Sequence, residues 1–336
     1  MSEPLWRTGT GLERPFRALA GVRCRGSALP VQRVMTDGGA DPAVGRASAK
    51  VKEPDGIAMP VSTLHRTTDH HAQPMYEQEA AWESSPGTAA GVILVGDLDG
   101  SMVPVVEPSP EADDKRQGKG LSWKAVRLNR VHPHGSVTPL FGENVAGGVE
   151  DSGRQGWRCA AKAGFGPGSH LHAVGEGAPW RVTQVEMHCG TQGRYWVDFC
   201  QLCEYLGDAA KVCAPDHPQA WLDVQKDRLK ANQAAAVLDA LAPFVQADHA
   251  DDPMTACDRS LRHHLDHLDY QGARQRGLPI GSGEIESAHR YLIQERLKLP
   301  GAGWSPAHLE TRLVLRLNRV NREWEAYWRG VEKEAT

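Results

Sequence analysis

Three acidic residues stand in settings where a carboxylate could bind a metal ion. Asp99 follows the apolar run 92–95 and precedes a glycine, and Glu176 stands between two glycines. Glu286 ends a Gly-Ser-Gly-Glu-Ile-Glu stretch. Glycines let a metal ion and a phosphate backbone approach closely. Because Mg²⁺ prefers oxygen ligands and a pair of such ions promotes attack on a phosphodiester, the three residues are candidates for metal-dependent phosphodiester chemistry. The alternative is that they are ordinary surface carboxylates.

Three neighbouring acids are alternatives to members of this set. Asp97 shares a strand face with Asp99, because strand side chains alternate, and it could assist or replace that residue. Glu284 is two residues from Glu286, so on a helix the two point about 200° apart and do not easily serve one site. Asp198, at the end of a strand-like run, could be a core carboxylate or a substitute for the second acid.

Cysteine and histidine pairs offer a different kind of metal site. Cys200 and Cys203 have the spacing of half a zinc site or a redox pair, but no second such pair follows. His263 and His267 lie at i and i+4, which could chelate zinc on one helix face, although an exposed histidine face is favoured. The seven cysteines are odd in number and scattered, which favours reduced thiols over a disulfide framework.

The pattern of apolar residues predicts the elements that must position these side chains. Short apolar or alternating runs predict strands at 92–95, 102–106, 122–131, 171–175 and 195–199. Helical composition follows, at 204–213, 219–247, 255–268, 284–299 and 306–328. Strands followed by helices predict a mixed α/β core that contains a helical insertion.

Two helices are predicted before the first strand. The apolar positions of 44–51 fall on one helix face, and Ser62 could cap a second helix. Exposed His65 and Arg66 on that helix would suit a helix-turn-helix reader of DNA. The alternative is a small helical cap on the next domain.

The last predicted helix carries two stripes. An apolar stripe is expected to pack in the core; it comprises Leu309, Leu313, Leu317, Val320, Trp324 and Trp328. Arg312, Arg316 and Arg319 form a neighbouring stripe, which is either a solvated, salt-bridged face or a set of phosphate contacts.

Charge is segregated along the chain. The formal net charge is −4, but segments 1–75 and 287–329 are basic and the middle of the chain is acidic. Since phosphate attraction is local, DNA contact at both ends is compatible with this balance. No apolar run approaches the roughly 18 residues of a membrane span, so we expect a cytoplasmic chain with no membrane partner.

Several segments resemble the ISKra family of insertion-sequence transposases. The C-terminal signature of that family resembles 278–287, followed by 295–298, 303–305 and 321–328. Further resemblances lie at 36–52, 59–78, 99–104, 123–126, 175–180, 198 and 203–206. The likeness covers nearly the whole chain, and its C-terminal motif is the most specific part. These transposases resemble DDE enzymes with an RNase H-like core.

The resemblance implies a role for each candidate acid. Asp99, Glu176 and Glu286 fall on the family's catalytic acids, which hold Mg²⁺ or Mn²⁺ for cleavage and strand transfer. The implied partner is double-stranded DNA, both terminal inverted repeats and target, bound by a homo-oligomer in a bacterial, nucleoid-associated setting. Residues expected to contact DNA are Ser62, His65, Arg66, Arg296, Lys298, Arg312, Arg316 and Arg319.

The resemblance also implies a domain plan. An RNase H-like mixed sheet, with a helical insertion at about 207–275, is expected within a catalytic domain at 91–329. Before it we expect a poorly ordered N-terminus at 1–30, a helical DNA-binding region at 31–80 and a linker at 81–90.

Two positions depart from the family pattern. Glu176 stands where the family usually has aspartate, and Gln201 stands where it usually has histidine. Because active sites demand close placement, the extra methylene of Glu176 could impair turnover. The alternative hypothesis is therefore a catalytically inactive, transposase-derived DNA-binding protein. A general RNase H-like nuclease is a third possibility, although no feature favours RNA hybrids over duplex DNA.

Overall fold

A computed structural model describes most of the chain, in ten segments. They are residues 6–8, 11–13, 27–40, 59–81, 87, 91–108, 119–145, 147–245, 252–299 and 303–335. The chain divides into two compact units. The helical unit comprises 1–83, 102–125 and 290–336, and the sheet unit comprises 84–101 and 126–289. The catalytic domain predicted at 91–329 therefore contributes residues to both units.

A five-stranded mixed sheet underlies the sheet unit. Its strands are β3 (Ile93–Pro108), β4 (Lys119–Pro133), β5 (Leu140–Val145), β6 (His170–Gly175) and β7 (Gly193–Val197), and a separate hairpin joins β1 (Trp6–Thr8) to β2 (Gly11–Glu13). The order in the sheet is β5-β4-β3-β6-β7, with β3, β6 and β7 parallel and β4 antiparallel to β5. The prediction of a mixed α/β fold is confirmed.

Strand β3 corrects one prediction. Two strands were expected, at 92–95 and 102–106, but one strand of 16 residues runs through both. The segment between the two apolar runs is part of the strand. Within it, Asp97 and Leu98 pair with β6, opposite Val174 and Gly175.

Helices of the sheet unit flank and follow the strands. They are α3 (Val149–Lys162), α4 (Pro179–Cys189), α5 (Phe199–Cys213), α6 (Pro218–Lys230), α7 (Ala234–Leu241), α8 (Pro253–His263), α9 (Tyr270–Gln275) and α10 (Gly283–His289). The helix predicted at 219–247 is divided into α6 and α7. The chain turns between them at Asn232, whose φ of 58° lies in the left-handed region that asparagine tolerates.

Helices of the helical unit come from both ends of the chain. They are α1 (Leu29–Ala40), α2 (Val61–Ala81), α11 (Glu295–Leu297), α12 (Pro306–Val320) and α13 (Trp324–Ala335), with a π-helical turn at Arg290–Gln294. The single helix predicted at 306–328 is divided into α12 and α13. Arg322 adopts a left-handed φ of 62°, and the Glu323 amide then donates to the Asn318 carbonyl at 2.8 Å, which closes the end of α12.

The core of the helical unit joins the two ends of the chain. Ala40 of α1 and Met75 of α2 belong to one apolar cluster with Leu315 of α12 and Trp328 of α13. The predicted apolar stripe of the last helices is buried, as expected, except for the half-buried Val320. The described part of the predicted region 31–80 thus shares its core with the C-terminal helices.

Two predictions for the N-terminal region concern a helix at 44–51 and a helix cap at Ser62. The helix predicted at 44–51 lies outside the described residues, as does most of the expected linker and N-terminus. Ser62 does not cap α2, which is a correction. The helix already begins at Val61, and the Pro60 carbonyl accepts the amides of Thr63 and Leu64 at 2.9 and 3.1 Å.

None of the described helices combines the length and the apolar character that crossing a bilayer requires.

Candidate carboxylate site

The parallel strands β3 and β6 bring two of the candidate acids to neighbouring positions. Pairing between these strands ends at Leu98 opposite Gly175. Asp99 is the next residue of β3, and Glu176 is the first residue after the end of β6. Asp99 therefore lies inside the long strand β3 rather than at its end, but just beyond its pairing with β6. Glu176 follows the end of β6, as predicted.

Helix α10 brings the third acid near the other two. Glu286 lies on this helix, with an exposed side chain. Its pKa is raised above the ordinary value, first by partial desolvation and then by repulsion from Asp198, Asp99, Glu204 and Glu176. The sheet unit therefore places several carboxylates close enough to repel one another.

Asp99 is held by its own strand and by α10. The Gly100 amide donates to Asp99 Oδ1 at 2.6 Å, and His289 Nε2 lies 3.6 Å from Asp99 Oδ2. His289 is buried and stands one helical turn after Glu286. Helix α10 thus contributes both a carboxylate and an imidazole to the surroundings of Asp99.

The alternative acids Asp97 and Glu284 are both engaged by one arginine. Asp97 is only 5% exposed, and burial raises its pKa to about 6, with Arg130 acting in the opposite direction. Arg130 Nη1 lies 2.6 Å from Asp97 Oδ2, and Nη2 of the same guanidinium pairs with Glu284 Oε2. Asp97 is therefore paired internally and is a poor substitute for Asp99.

Asp198 is also engaged within the protein. It is buried, and its Oδ1 accepts the Cys200 amide at 2.6 Å, which caps α5. Its Oδ2 accepts the Ser282 amide at 2.8 Å and the Ser282 hydroxyl. Both carboxylate oxygens thus join α5 to the segment before α10, which favours the core role over that of a substitute ligand.

Glu176 has one buried partner. Arg181, on α4, is buried, and its Nη2 lies 3.1 Å from Glu176 Oε2. The flanking glycines serve packing. A Cβ on Gly175 would lie 2.9 Å from Arg181 Nη1 and from Tyr195 Oη. The Gly177 amide donates to the same Tyr195 oxygen at 2.9 Å, and Gly177 has a positive φ of 80°.

The donor set matches a hard divalent cation in chemistry. Asp99, Glu176 and Glu286 offer oxygen ligands of the kind that Mg²⁺ and Mn²⁺ take, and a cation would relieve the repulsion that raises the pKa of Glu286. Among the described residues, no group of three or more His, Cys, Asp or Glu side chains is assembled to hold a metal ion. The three acids therefore supply suitable donors without forming an assembled cation site in the described part of the chain.

The zinc alternatives receive little support from the geometry. Burial raises the pKa of the Cys203 thiol to about 11, which disfavours the thiolate that zinc needs. The histidine pair does not share a helix face, because α8 ends at His263 and His267 lies in the following 3₁₀ turn. There the ring Nδ1 of His267 is 3.2 Å from the Tyr195 carbonyl oxygen.

Two expected DNA contacts in the helical unit are corrected. Arg296 and Arg312 are each 1% exposed. The Arg296 guanidinium lies over the Trp304 ring at 4.4 Å, and Arg312 Nη2 pairs with Asp69 at 2.6 Å. Both guanidinium groups are buried inside the unit against intramolecular partners. They are therefore not accessible to a phosphate backbone.

The remaining expected DNA contacts differ in exposure. Arg316 and Arg319 are half-buried and donate to backbone carbonyls, Arg316 to Ala40 and Tyr291 and Arg319 to Asp37. His65 is half-buried and pairs with Asp69 at 2.6 Å. Exposed side chains remain at Ser62, Arg66 and Lys298.

Sequence reasoning missed residues that organise the site. Arg130 is a charged residue within an otherwise strand-like alternating run, and His289 stands three residues after Glu286, on the same helix face. The signal at Arg130 is a charged residue in a strand that is otherwise predicted to be buried. The signal at His289 is its i, i+3 spacing from Glu286. Both signals are weak. Their partners lie far away in sequence, so neither pairing was predictable.

No protein-family model matches this chain, and no curated protein matches its sequence.

Proposed function

We propose that the chain is a DNA transposase of the insertion-sequence type, with Asp99, Glu176 and Glu286 as the acids that hold its divalent cations. One observation carries the proposal. The paired strands β3 and β6 and helix α10 bring three acids from separate parts of the sequence into one region of the sheet unit. After desolvation and Asp198, the charges of Asp99 and Glu176 contribute to the raised pKa of Glu286. Carboxylates whose pKa is shifted by neighbouring charges are more frequent at functional sites than elsewhere.

The architecture supports the same proposal. The first strand of the five-stranded mixed sheet, β3, lies in its centre and carries Asp99, and the adjacent parallel strand β6 leads directly into Glu176. In α/β sheets, ligand sites form at the carboxyl ends of parallel strands. We take the core to be RNase H-like, with Glu286 supplied by a helix that follows the strands.

The chain's own residues would prepare the reaction in three ways. Asp99, Glu176 and Glu286 would hold Mg²⁺ or Mn²⁺, which when bound supplies stabilisation of the attacking and leaving oxygens of a phosphodiester. Arg181 orients Glu176 through its contact at 3.1 Å. His289 lies beside Asp99 and limits how that side chain can turn. The displacement is in line, so no covalent protein intermediate is required.

Double-stranded DNA is the proposed partner, both as terminal inverted repeats and as target. The expected contacts that remain in the helical unit are the exposed Ser62, Arg66 and Lys298 and the half-buried His65, Arg316 and Arg319. Joining two DNA ends in one complex calls for a homo-oligomer. We place this activity in the bacterial cytoplasm, at the nucleoid.

Cleavage of DNA tests the proposal. The substrate is a supercoiled plasmid carrying the terminal repeats of the encoding element, with Mg²⁺ or Mn²⁺. Nicking by the native chain is expected, together with its loss in Glu286→Gln. Asp208→Asn is the matched control, because Asp208 is an exposed carboxylate of the same unit that pairs with Lys211. Equal nicking by the native chain and Glu286→Gln would argue against this site.

A second candidate function is DNA binding without catalysis. It is favoured by Glu176, which is longer than the family's usual aspartate and already pairs with Arg181. Glu176→Asp separates the two functions. A gain of cleavage in this variant would identify an impaired enzyme, whereas bound but uncut DNA in both the native chain and the variant would identify a binding protein.

A further inference from the structure

One arginine connects two of the elements that carry the proposed ligands. Arg130, on β4, is only 7% exposed, and its two terminal nitrogens face different carboxylates. Nη1 lies 2.6 Å from Asp97 Oδ2, and Nη2 pairs with Glu284 Oε2. A guanidinium suits this role, because its planar fork presents several donors in fixed directions.

Each of these carboxylates lies two residues from a proposed ligand. Asp97 and Asp99 are on the same face of β3, since side chains alternate along a strand. Glu284 and Glu286 are on the seven-residue helix α10. The Asp97–Arg130–Glu284 bridge therefore ties the strand that carries Asp99 to the helix that carries Glu286.

A second attachment fixes the start of the same helix. Asp198 accepts both the amide and the hydroxyl of Ser282, the residue before α10. The Phe199 amide donates to the Ile280 carbonyl at 2.8 Å. The first turn of α10 is thus attached at two points, to Asp198 before its first residue and to Arg130 at its second residue.

We propose that Arg130 is a positioning residue, which sets Glu286 relative to Asp99 so that both can hold the same cation. This role rests on the proposed function. Arg130 contacts no reacting atom. Loss of the bridge should therefore lower the affinity for the cation more than it lowers the reaction rate at saturating cation. Partners one step removed from a metal ligand typically change metal affinity by about 10–100-fold.

Two variants test the bridge without leaving Asp97 unpaired. Glu284→Gln removes the outer pair, and the Glu284 side chain is 71% exposed, so the fold should tolerate the change. Arg130→Lys keeps a positive charge beside Asp97 but loses the fork. The matched control is Asp208→Asn. In plasmid nicking, both variants should raise the Mg²⁺ concentration for half-maximal rate about tenfold, with the rate at saturating Mg²⁺ little changed.

Hydrogen exchange supplies a readout that does not depend on activity. The backbone amides of Ile285 to His289 should exchange faster in both variants, while the control matches the native chain. Faster exchange with an unchanged Mg²⁺ requirement would overturn the positioning role, since the bridge would then only stabilise the helix. Unchanged exchange would overturn the bridge itself.

An inactive native chain would count against the proposed function rather than against the bridge. Mn²⁺ binding, followed by electron paramagnetic resonance, then replaces the cleavage assay. Weaker binding in Glu284→Gln and Arg130→Lys than in the native chain would support the positioning role. Equal binding, or no binding by the native chain, would contradict it.

Discussion

The donors around each carboxylate decide whether it can accept a cation. Asp97 and Asp198 are buried, and their oxygens are taken by Arg130 in one case and by Ser282 and Cys200 in the other. These internal partners occupy carboxylate oxygens that a metal ion would otherwise need, which makes both residues poor ligands. Proximity alone therefore does not define the ligand set.

A buried histidine in the helical unit gives a pH prediction. Burial lowers the pKa of His71 to about 4, with His70 contributing. The neutral ring lies 2.9 Å from the Tyr327 hydroxyl and 3.0 Å from Gln32 Oε1. The unfolded chain binds this proton near pH 6.5, so stability is full above that pH and falls as the pH drops towards 4.

The expected loss is up to about 3 kcal/mol, since one pKa unit corresponds to about 1.4 kcal/mol. Urea unfolding from pH 7 to pH 4 measures it, with His71→Gln as the comparison. The variant should lose less stability over this range than the native chain. Parallel curves for the two proteins would contradict the assignment.

The sequence singled out the candidate acids but not what separates them from their neighbours. Asp97 and Asp99 share a strand face, so alternation could not rank them. The deciding residue, Arg130, lies 33 positions from Asp97 on a different strand. That tertiary contact decides which of the two carboxylates, Asp97 or Asp99, is ion-paired with Arg130.

The sequence predicted helices and strands where the pattern of apolar residues was strong. The predicted bounds of these elements were wrong where a single residue ends the element. The two apolar runs of β3 were predicted as separate strands, yet one continuous strand of 16 residues contains both. Asn232 and Arg322 each end a helix by adopting a positive φ. Periodicity carries no information about such backbone turns, because the surrounding residues still favour a helix.

The junction of β6 with Glu176 gives a prediction at the scale of elements. Gly175→Ala should destabilise the chain by roughly 1–3 kcal/mol, because the added Cβ would lie 2.9 Å from Arg181 Nη1 and Tyr195 Oη. The strain should also move Arg181 away from Glu176. Thermal unfolding measures the first effect.

Gly207→Ala is the control for this change. Gly207 lies in α5, and a Cβ there would meet no atom within 4 Å. Removing a helical glycine should raise stability by up to about 1 kcal/mol. If Gly175→Ala were as stable as the native chain, the packing account of this strand end would be wrong.

At the scale of the whole molecule, composition and strand order predicted the α/β class but not the division of the chain. Leu29–Ala40 and the helices after Pro306 share one core although they stand at opposite ends of the sequence. Strands β3 and β4 contribute residues to both units. Local patterns cannot reveal which distant segments share a core, so the predicted consecutive domains differ from the observed units.

The central claim is that Asp99, Glu176 and Glu286 form a divalent-cation site. Titration of the purified chain with Mn²⁺, with free Mn²⁺ counted by electron paramagnetic resonance, tests it most directly. The account predicts saturable binding by the native chain, much weaker binding by Asp99→Asn and by Glu286→Gln, and native binding by Asp208→Asn. Binding that is absent from the folded native chain, or equal in all four proteins, would contradict it.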